Sequence, residues 1–184
     1  MSKHKLKIQS ILLYAVLIFY VILLLSILIF KYVSPVELFS VNRPIYRSVN
    51  ILPFQSIKSY LFGIADVSRT VTFNNVLGNV GLFIPLGIYL QLLKRDKRMF
   101  ISIFFVLLVS LSVEIIQFIF GIGATDIDDI LLNCLGGIIG ISCHRFLLVF
   151  IKDDNKIRNI ITILGAIVGI PLLYITILLA ISNY

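Results

Sequence analysis

The sequence predicts an all-α integral membrane protein with five transmembrane helices, the N-terminus inside, the C-terminus outside, and a long outer loop between helices 1 and 2. Three observations predict it. The first is composition: 59% of the 184 residues are hydrophobic and only 14% are charged, against roughly 45–50% and about 25% in soluble domains. A water-soluble core of this length cannot hide so much Leu, Ile, Val and Phe. The second is run length, because the apolar residues fall in runs of about 20, enough to cross a hydrocarbon layer of ~30 Å. The third is the placement of Lys and Arg, which cluster in a few short segments.

The runs cover 8–30, 76–93, 99–120, 127–150 and 160–181. Lys3, Lys5 and Lys7 precede the first. Its apolar stretch is about twice the usual 7–15-residue core of a signal peptide, and no small-x-small cleavage site follows, so it reads as an anchor. With the N-terminus inside, the inner segments hold those three lysines, then Lys94, Arg95, Lys97 and Arg98, then Arg145, Lys152, Lys156 and Arg158. That is eleven of the sixteen basic residues, the asymmetry that sets orientation. The other five, Lys31, Arg43, Arg47, Lys58 and Arg69, are spread over the outer segment 31–73. That segment contains Ile51-Leu52-Pro53-Phe54 and Tyr60-Leu61-Phe62-Gly63-Ile64. It is expected to dip back toward the bundle, where protein covers its backbone, with Pro53, Phe54, Tyr60 and Phe62 as apolar anchors. An odd number of spans argues against a simple inverted-repeat transporter. No basic face on a soluble element is visible, so nucleic acid is not an expected partner. Cys134 and Cys143 lie nine residues apart in one helical run, about 13.5 Å, too far to bridge.

Polar residues inside spans carry the chemistry, because hydrocarbon makes them expensive. In the third span Ser110, Glu114, Gln117 and Gly121 fall on one helical stripe. Glu114 lies about 10 Å below the end of its helix, a depth at which a carboxylate must be paired, hydrogen-bonded or protonated. The fourth span opens with Asp126-Ile127-Asp128-Asp129 and continues to Asn133, Gly136, Gly137 and Gly140. Acidic residues in the first turn suit the positive end of the helix dipole, and Asp126 is placed to be the N-cap. Gly136 and Gly140, like Gly165 and Gly169 in the fifth span, form small-xxx-small pairs that let another helix approach closely. The second span begins with Asn75 and Asn79, one turn apart. Three polar span ends therefore meet on one side. Glu114 and Asp129 are expected to be neighbours, with a proton on one of them or a cation such as Arg69, Lys58 or a metal ion between them. The candidate binding residues are Asn79, Glu114, Gln117, Asp126, Asp128, Asp129, Asn133 and Arg69. A structural network locking three helices together fits the same pattern. No metal or other cofactor is expected: Asp-x-Asp-Asp suits a divalent cation but lacks a defined further ligand set. No Ser-His-Asp set, Cys-His pair or phosphate-cradling loop is present.

Four blocks in order, Asn50-Ile51-Leu52-Pro53-Phe54, Asn75-x-x-Gly78-Asn79-x-x-Leu82-Phe83-x-Pro85-Leu86-Gly87, Ser110-x-x-x-Glu114-x-x-Gln117 and Asp126-x-Asp128-Asp129-x-x-x-Asn133-x-x-Gly136, resemble the VanZ-like family. The resemblance covers about half the chain, and four blocks together are far more specific than any one. It implies one transmembrane domain, residues 1–184, in the bacterial cytoplasmic membrane. For the founding member it also implies a link with resistance to teicoplanin-type glycopeptides, and it implies no particular reaction. Many members carry an Arg where this chain has Gly123, so another loop cation must serve here, or the turn is less charged.

The expected function is therefore that of a non-enzymatic membrane protein acting on a lipid-linked cell-wall precursor, or on a lipidated glycopeptide, at the outer leaflet. Membrane lipid is the general partner class; the oligomeric state is left open by the sequence. A membrane-embedded hydrolase or transferase using Glu114 and Asp129 as acid and base is the second reading, and a structural partner subunit the third.

Overall fold

The first apolar run has no internal breaker, and it forms one helix, α1 (Lys3–Ile29). The computed structural model describes residues 3–31, 33, 35–38, 40, 43, 45–55, 57–58, 69–93 and 98–182. After α1 come a short helix α2 (Pro35–Leu38), strand β1 (Tyr46–Asn50), helices α3 (Arg69–Leu93) and α4 (Met99–Phe120), strand β2 (Ile122–Asp126), and helices α5 (Ile127–Ile151) and α6 (Asp154–Ser182). Among the described residues five helices are long and apolar enough to cross a membrane. They are the five runs read from the sequence.

Two boundaries differ from the sequence reading, each for a local reason. The fifth helix starts at Asp154, not near 160. Asp153 caps it, its Oδ1 accepting the N–H of Asn155 at 2.9 Å, so the charged stretch that reads as a loop is the helix's first turns. The second helix starts at Arg69, seven residues before the apolar run, because Asn74 and Asn75 are polar without being helix-breaking.

The larger departure is a two-stranded sheet in a chain read as all-α. β1 pairs parallel with β2, in a register that sets Tyr46 against Ile122 and Asn50 against Asp126. A glycine makes this possible. Gly121 closes α4 in the left-handed conformation, φ +59° and ψ +42°, which glycine adopts without steric cost. The chain there reverses, and β2 runs back along the last two turns of α4. Thr125 Oγ1 donates to the Glu114 carbonyl at 3.3 Å and the Asp126 N–H to Glu114 Oε2 at 3.1 Å. The six residues read as a short loop are thus a returning strand. It brings the acidic turn down to the level of Glu114.

Contacts divide the chain into two compact units, one of Leu25–Arg145 and one of Met1–Leu24 with Phe146–Tyr184. In the first, Phe83, Val106, Val113, Ile122, Leu132 and Ile141 form the buried core. α3 and α5 touch backbone to backbone. A Cβ on Gly136 would strike the Val80 carbonyl oxygen, one on Gly140 that of Ile84, and one on Gly87 that of Gly137. These glycines are the packing surface the small-xxx-small spacing predicts. On the other side of α5, Gly137 receives the Val106 side chain, 2.6 Å from where a Cβ would stand. In the second unit Leu13, Leu24, Ile157 and Ile161 are buried, and Gly169 lies against the Phe19 ring.

Candidate functional site

Asp129, in the first turn of α5, is the centre of the polar cluster. Its Oδ2 receives Lys31 Nζ at 2.9 Å, and its Oδ1 receives Asn79 Nδ2 at 2.6 Å. The pair is largely enclosed, with the Lys31 side chain 20% exposed and that of Asp129 12%. Lys31 is one of the first residues past the end of α1, so the helix fixes its level, and its long stem carries the ammonium inward. The sequence reading offered a proton on one carboxylate, or a cation such as Arg69, Lys58 or a metal ion, and did not name Lys31. The described cation on Asp129 is Lys31. Lys58 is exposed, and the side chain of Arg69 lies outside the described residues.

Glu114 and Asp129 are brought together as the short connection between their helices requires. Glu114 is 2% exposed and within electrostatic reach of Asp129, Lys31 and Asp126. Asp126 is the N-cap of α5: its Oδ1 accepts the Asp128 N–H at 2.9 Å, and the same oxygen takes Asn50 Nδ2 at 3.2 Å. Asn133, one turn below Asp129, is 1% exposed and donates through Nδ2 to Ser110 Oγ at 2.9 Å. Gln117 serves a different purpose. Its Nε2 donates to the Leu28 carbonyl at 2.9 Å, satisfying one of the last four carbonyls of α1, which have no partner within the helix.

Asp128 holds the segment after β1. Its Oδ1 accepts the Phe54 N–H at 2.6 Å and its Oδ2 the Ile57 N–H at 3.1 Å. Phe54 sits at φ +65°, a left-handed conformation costing a side-chain-bearing residue roughly 1–2 kcal/mol, and charge-assisted bonds to a buried carboxylate offset that cost. The segment is docked by its backbone and not by the apolar side chains expected to anchor it: Ile51, Leu52 and Phe54 are all more than half exposed. Tyr60 and Phe62 lie outside the described residues. Asp128→Ala should therefore free the segment while leaving α5 capped by Asp126. Amide exchange at Phe54 and Ile57, read in a detergent-solubilised sample, is expected to rise more than tenfold, a bond to a charged acceptor being worth ~1.5–3 kcal/mol. Unchanged exchange would show that something else holds the turn.

Arg43 and Arg47 also escaped the sequence reading as site-building residues. Arg47 Nη2 donates to the Ile119 carbonyl at 3.1 Å and Arg43 Nη2 to that of Phe120, so two guanidinium groups close the negative end of α4. Arg47 stands opposite Gly123 in the strand register. The signal for both was weak, since basic residues in a loop carry no mark of the helix end they cap.

Four helix ends and two strands thus converge on one charged, largely enclosed centre, and the fold and centre together define a multi-pass α-helical membrane protein with a polar site built among its spans. Comparison with known proteins gives the same class a name. The family described as VanZ/LLP1 matches residues 17–150, an interval that contains every site residue named above. Protein VanZ of Enterococcus faecium is 31% identical over 154 residues, covering 84% of this chain and 86% of that protein. The chain belongs to the VanZ/LLP1 family. No solved structure matches it.

Proposed function

We propose that this VanZ-like protein works in the bacterial cytoplasmic membrane, N-terminus inside and C-terminus outside. There it alters the handling of a lipid-linked cell-wall precursor, or of a lipidated glycopeptide, at the outer leaflet, without catalysing a reaction. The observation that carries this reading is the Lys31–Asp129 pair, 2.9 Å apart and mostly withdrawn from solvent. Enclosing two charges costs several kcal/mol each before their attraction is counted, and apolar residues would pack the same helix ends more cheaply. Its position at the ends of spans suits a molecule with an apolar tail in the leaflet and a polar head beside the protein. Kinship with protein VanZ over 84% of the chain supports the glycopeptide side of the proposal. The clustering of eleven basic residues in three segments supports the orientation. On that orientation a single cysteine at Lys58, with Cys134 and Cys143 replaced by Ala, reacts with a membrane-impermeant thiol reagent in intact cells, and one at Lys156 does not.

The test compares growth in a lipidated and a non-lipidated glycopeptide with membrane abundance, for the wild type and for Asp129→Asn and Glu114→Gln. Each change keeps side-chain size while removing one of two carboxylates that share Lys31, so the other remains to balance it. Protection against the lipidated drug is expected to be lost at near-normal abundance. Full protection by both variants would end the case for a charged site.

A further inference from the structure

Gly169 of α6 lies against the Phe19 ring of α1, 3.3 Å from where a Cβ would stand. One turn earlier, both helices carry small residues, Ala15 on α1 and Gly165 with Ala166 on α6. The contact at Phe19 sets the spacing, and the short side chains before it do not fill it. The result is an apolar groove of about 190 Å³, lined by Ala15, Val16, Phe19, Gly165, Ala166 and Gly169. Ile170 and Leu173 at its rim are well exposed, so it opens to the surroundings of the helices. Spread over about two turns of helix, this volume makes a slot only a few ångström across, far narrower than a helix of ~10–12 Å diameter. A single hydrocarbon chain fits such a slot, since apolar cavities of ~150 Å³ accept a benzene-sized molecule. Left unfilled, the lining atoms would forfeit their dispersion contacts.

Charge selects the occupant. Three spans, α3, α4 and α5, separate α1 from α6 in the chain, so α1 and α6 cross the membrane in the same direction and begin in the same leaflet. Their unit, residues 1–24 and 146–184, holds six basic residues, Lys3, Lys5, Lys7, Lys152, Lys156 and Arg158, against Asp153 and Asp154. All eight lie at the N-terminal ends of the two helices or just before α6, and the Asp153 carboxylate is already engaged in capping. Arg158, Thr162, Gly165 and Gly169 fall on one stripe of α6, with the Thr162 hydroxyl turned back to the Arg158 carbonyl at 2.7 Å. Arg158 is thus about 10 Å before the groove along α6, and Lys7 about 12 Å before it along α1. One leaflet contributes half of a hydrocarbon layer of ~30 Å, so a head group at the level of these cations sends its tail to the groove. We propose that the groove holds an acyl chain of an anionic phospholipid, with its phosphate at the level of Arg158, Lys156 and Lys7. Basic pockets between membrane helices suit such head groups. This lipid is separate from the cell-wall precursor of the proposed function.

The full chain in nanodiscs of mixed phosphatidylcholine and phosphatidylglycerol provides the test. Native mass spectrometry counts the lipids and the copies of the chain in each released particle. At least one phosphatidylglycerol per chain is expected to be retained in preference to phosphatidylcholine. Ala166→Leu and Ala15→Leu fill the groove from opposite walls, and each should abolish that retention. If one of them does not fold, the other carries the comparison. Lys156→Gln and Arg158→Gln leave the groove open and should each weaken the preference about fivefold, the worth of one basic residue near an anionic surface. Equal retention of the two lipids by the wild type overturns the proposal. So does phosphatidylglycerol that both leucine variants keep, which would mean that charge alone gathers it at the helix ends. A preference that neither glutamine variant weakens overturns it as well. Paired copies of the chain that carry no lipid and separate in the leucine variants would give the groove to a second copy instead.

Discussion

Lys31→Met is expected to reduce the amount of folded protein in the membrane several-fold. It leaves the Asp129 carboxylate, 12% exposed, with Asn79 as its described donor and with Glu114 still within electrostatic reach. Removing one partner of a buried pair strands the other charge, at a cost of about 3–5 kcal/mol. The lower end applies, because both side chains keep some exposure. A loss of that size is a large part of the stability of an ordinary domain and shows directly as abundance. The cost belongs to the stranded charge and not to the missing lysine. Adding Asp129→Asn to Lys31→Met should therefore restore most of the protein while leaving it unable to act. Quantitative immunoblotting of membranes from the two single variants and the double variant separates these terms. A double variant no more abundant than Lys31→Met would mean that the lysine stem, and not its charge, holds the ends of the helices.

Gly140→Ala should be nearly as damaging, although it adds a single methyl group. The added carbon would strike the Ile84 carbonyl oxygen and stand 3.1 Å from the Ile88 amide nitrogen. Both are backbone atoms of α3, so no rotamer change relieves the clash and the helix itself must move. Overpacking of this kind costs typically 1–3 kcal/mol and sometimes more. Displacing α3 also carries Asn79 away from Asp129, so activity should fall further than abundance does. Gly136→Ala, facing the Val80 carbonyl, should behave in the same way. Gly78→Ala and Gly81→Ala are the controls on the same pair of helices. A Cβ at either position meets nothing within 4 Å, and alanine is the better helix former by up to about 1 kcal/mol. Thermal unfolding of the four purified variants would refute the account if all four lost stability equally.

Much of this was legible in the sequence, and the parts that were not have a common cause. The spans could be read because a bilayer imposes a length on apolar runs, and each helix satisfies its backbone within itself. The neighbourhood of Glu114 and Asp129 followed from the shortness of the connection between their helices, and the packing role of Gly136 and Gly140 from their spacing on one face. Lys31 was not legible as the partner of Asp129, because 98 residues separate them and one basic residue among the five between Lys31 and Arg69 looks like any other. Asp128 escaped for a related reason. Its partners are two backbone N–H groups, which every residue but proline possesses, so nothing in the side chains of Phe54 or Ile57 announces the contact. The strands are only five residues long, too short for alternation to declare itself, and the pairing depends on a reversal at Gly121 that only the backbone conformation reveals.

The pairing of β1 with β2 imposes an order on biosynthesis. Asn50 leaves the ribosome 76 residues ahead of its partner Asp126, an interval of roughly 4–15 s at ordinary rates of elongation. Throughout that time α1 is already made, while β1 has no strand to join and Lys31 no carboxylate on α5 to meet. The early segment must wait, unpaired, until two more spans, α3 and α4, have been made. The charged centre is consequently among the last parts of Leu25–Arg145 to form, and a nascent chain that stalls before Asp126 presents the insertion machinery with a lysine at the end of a helix and without its Asp129 partner.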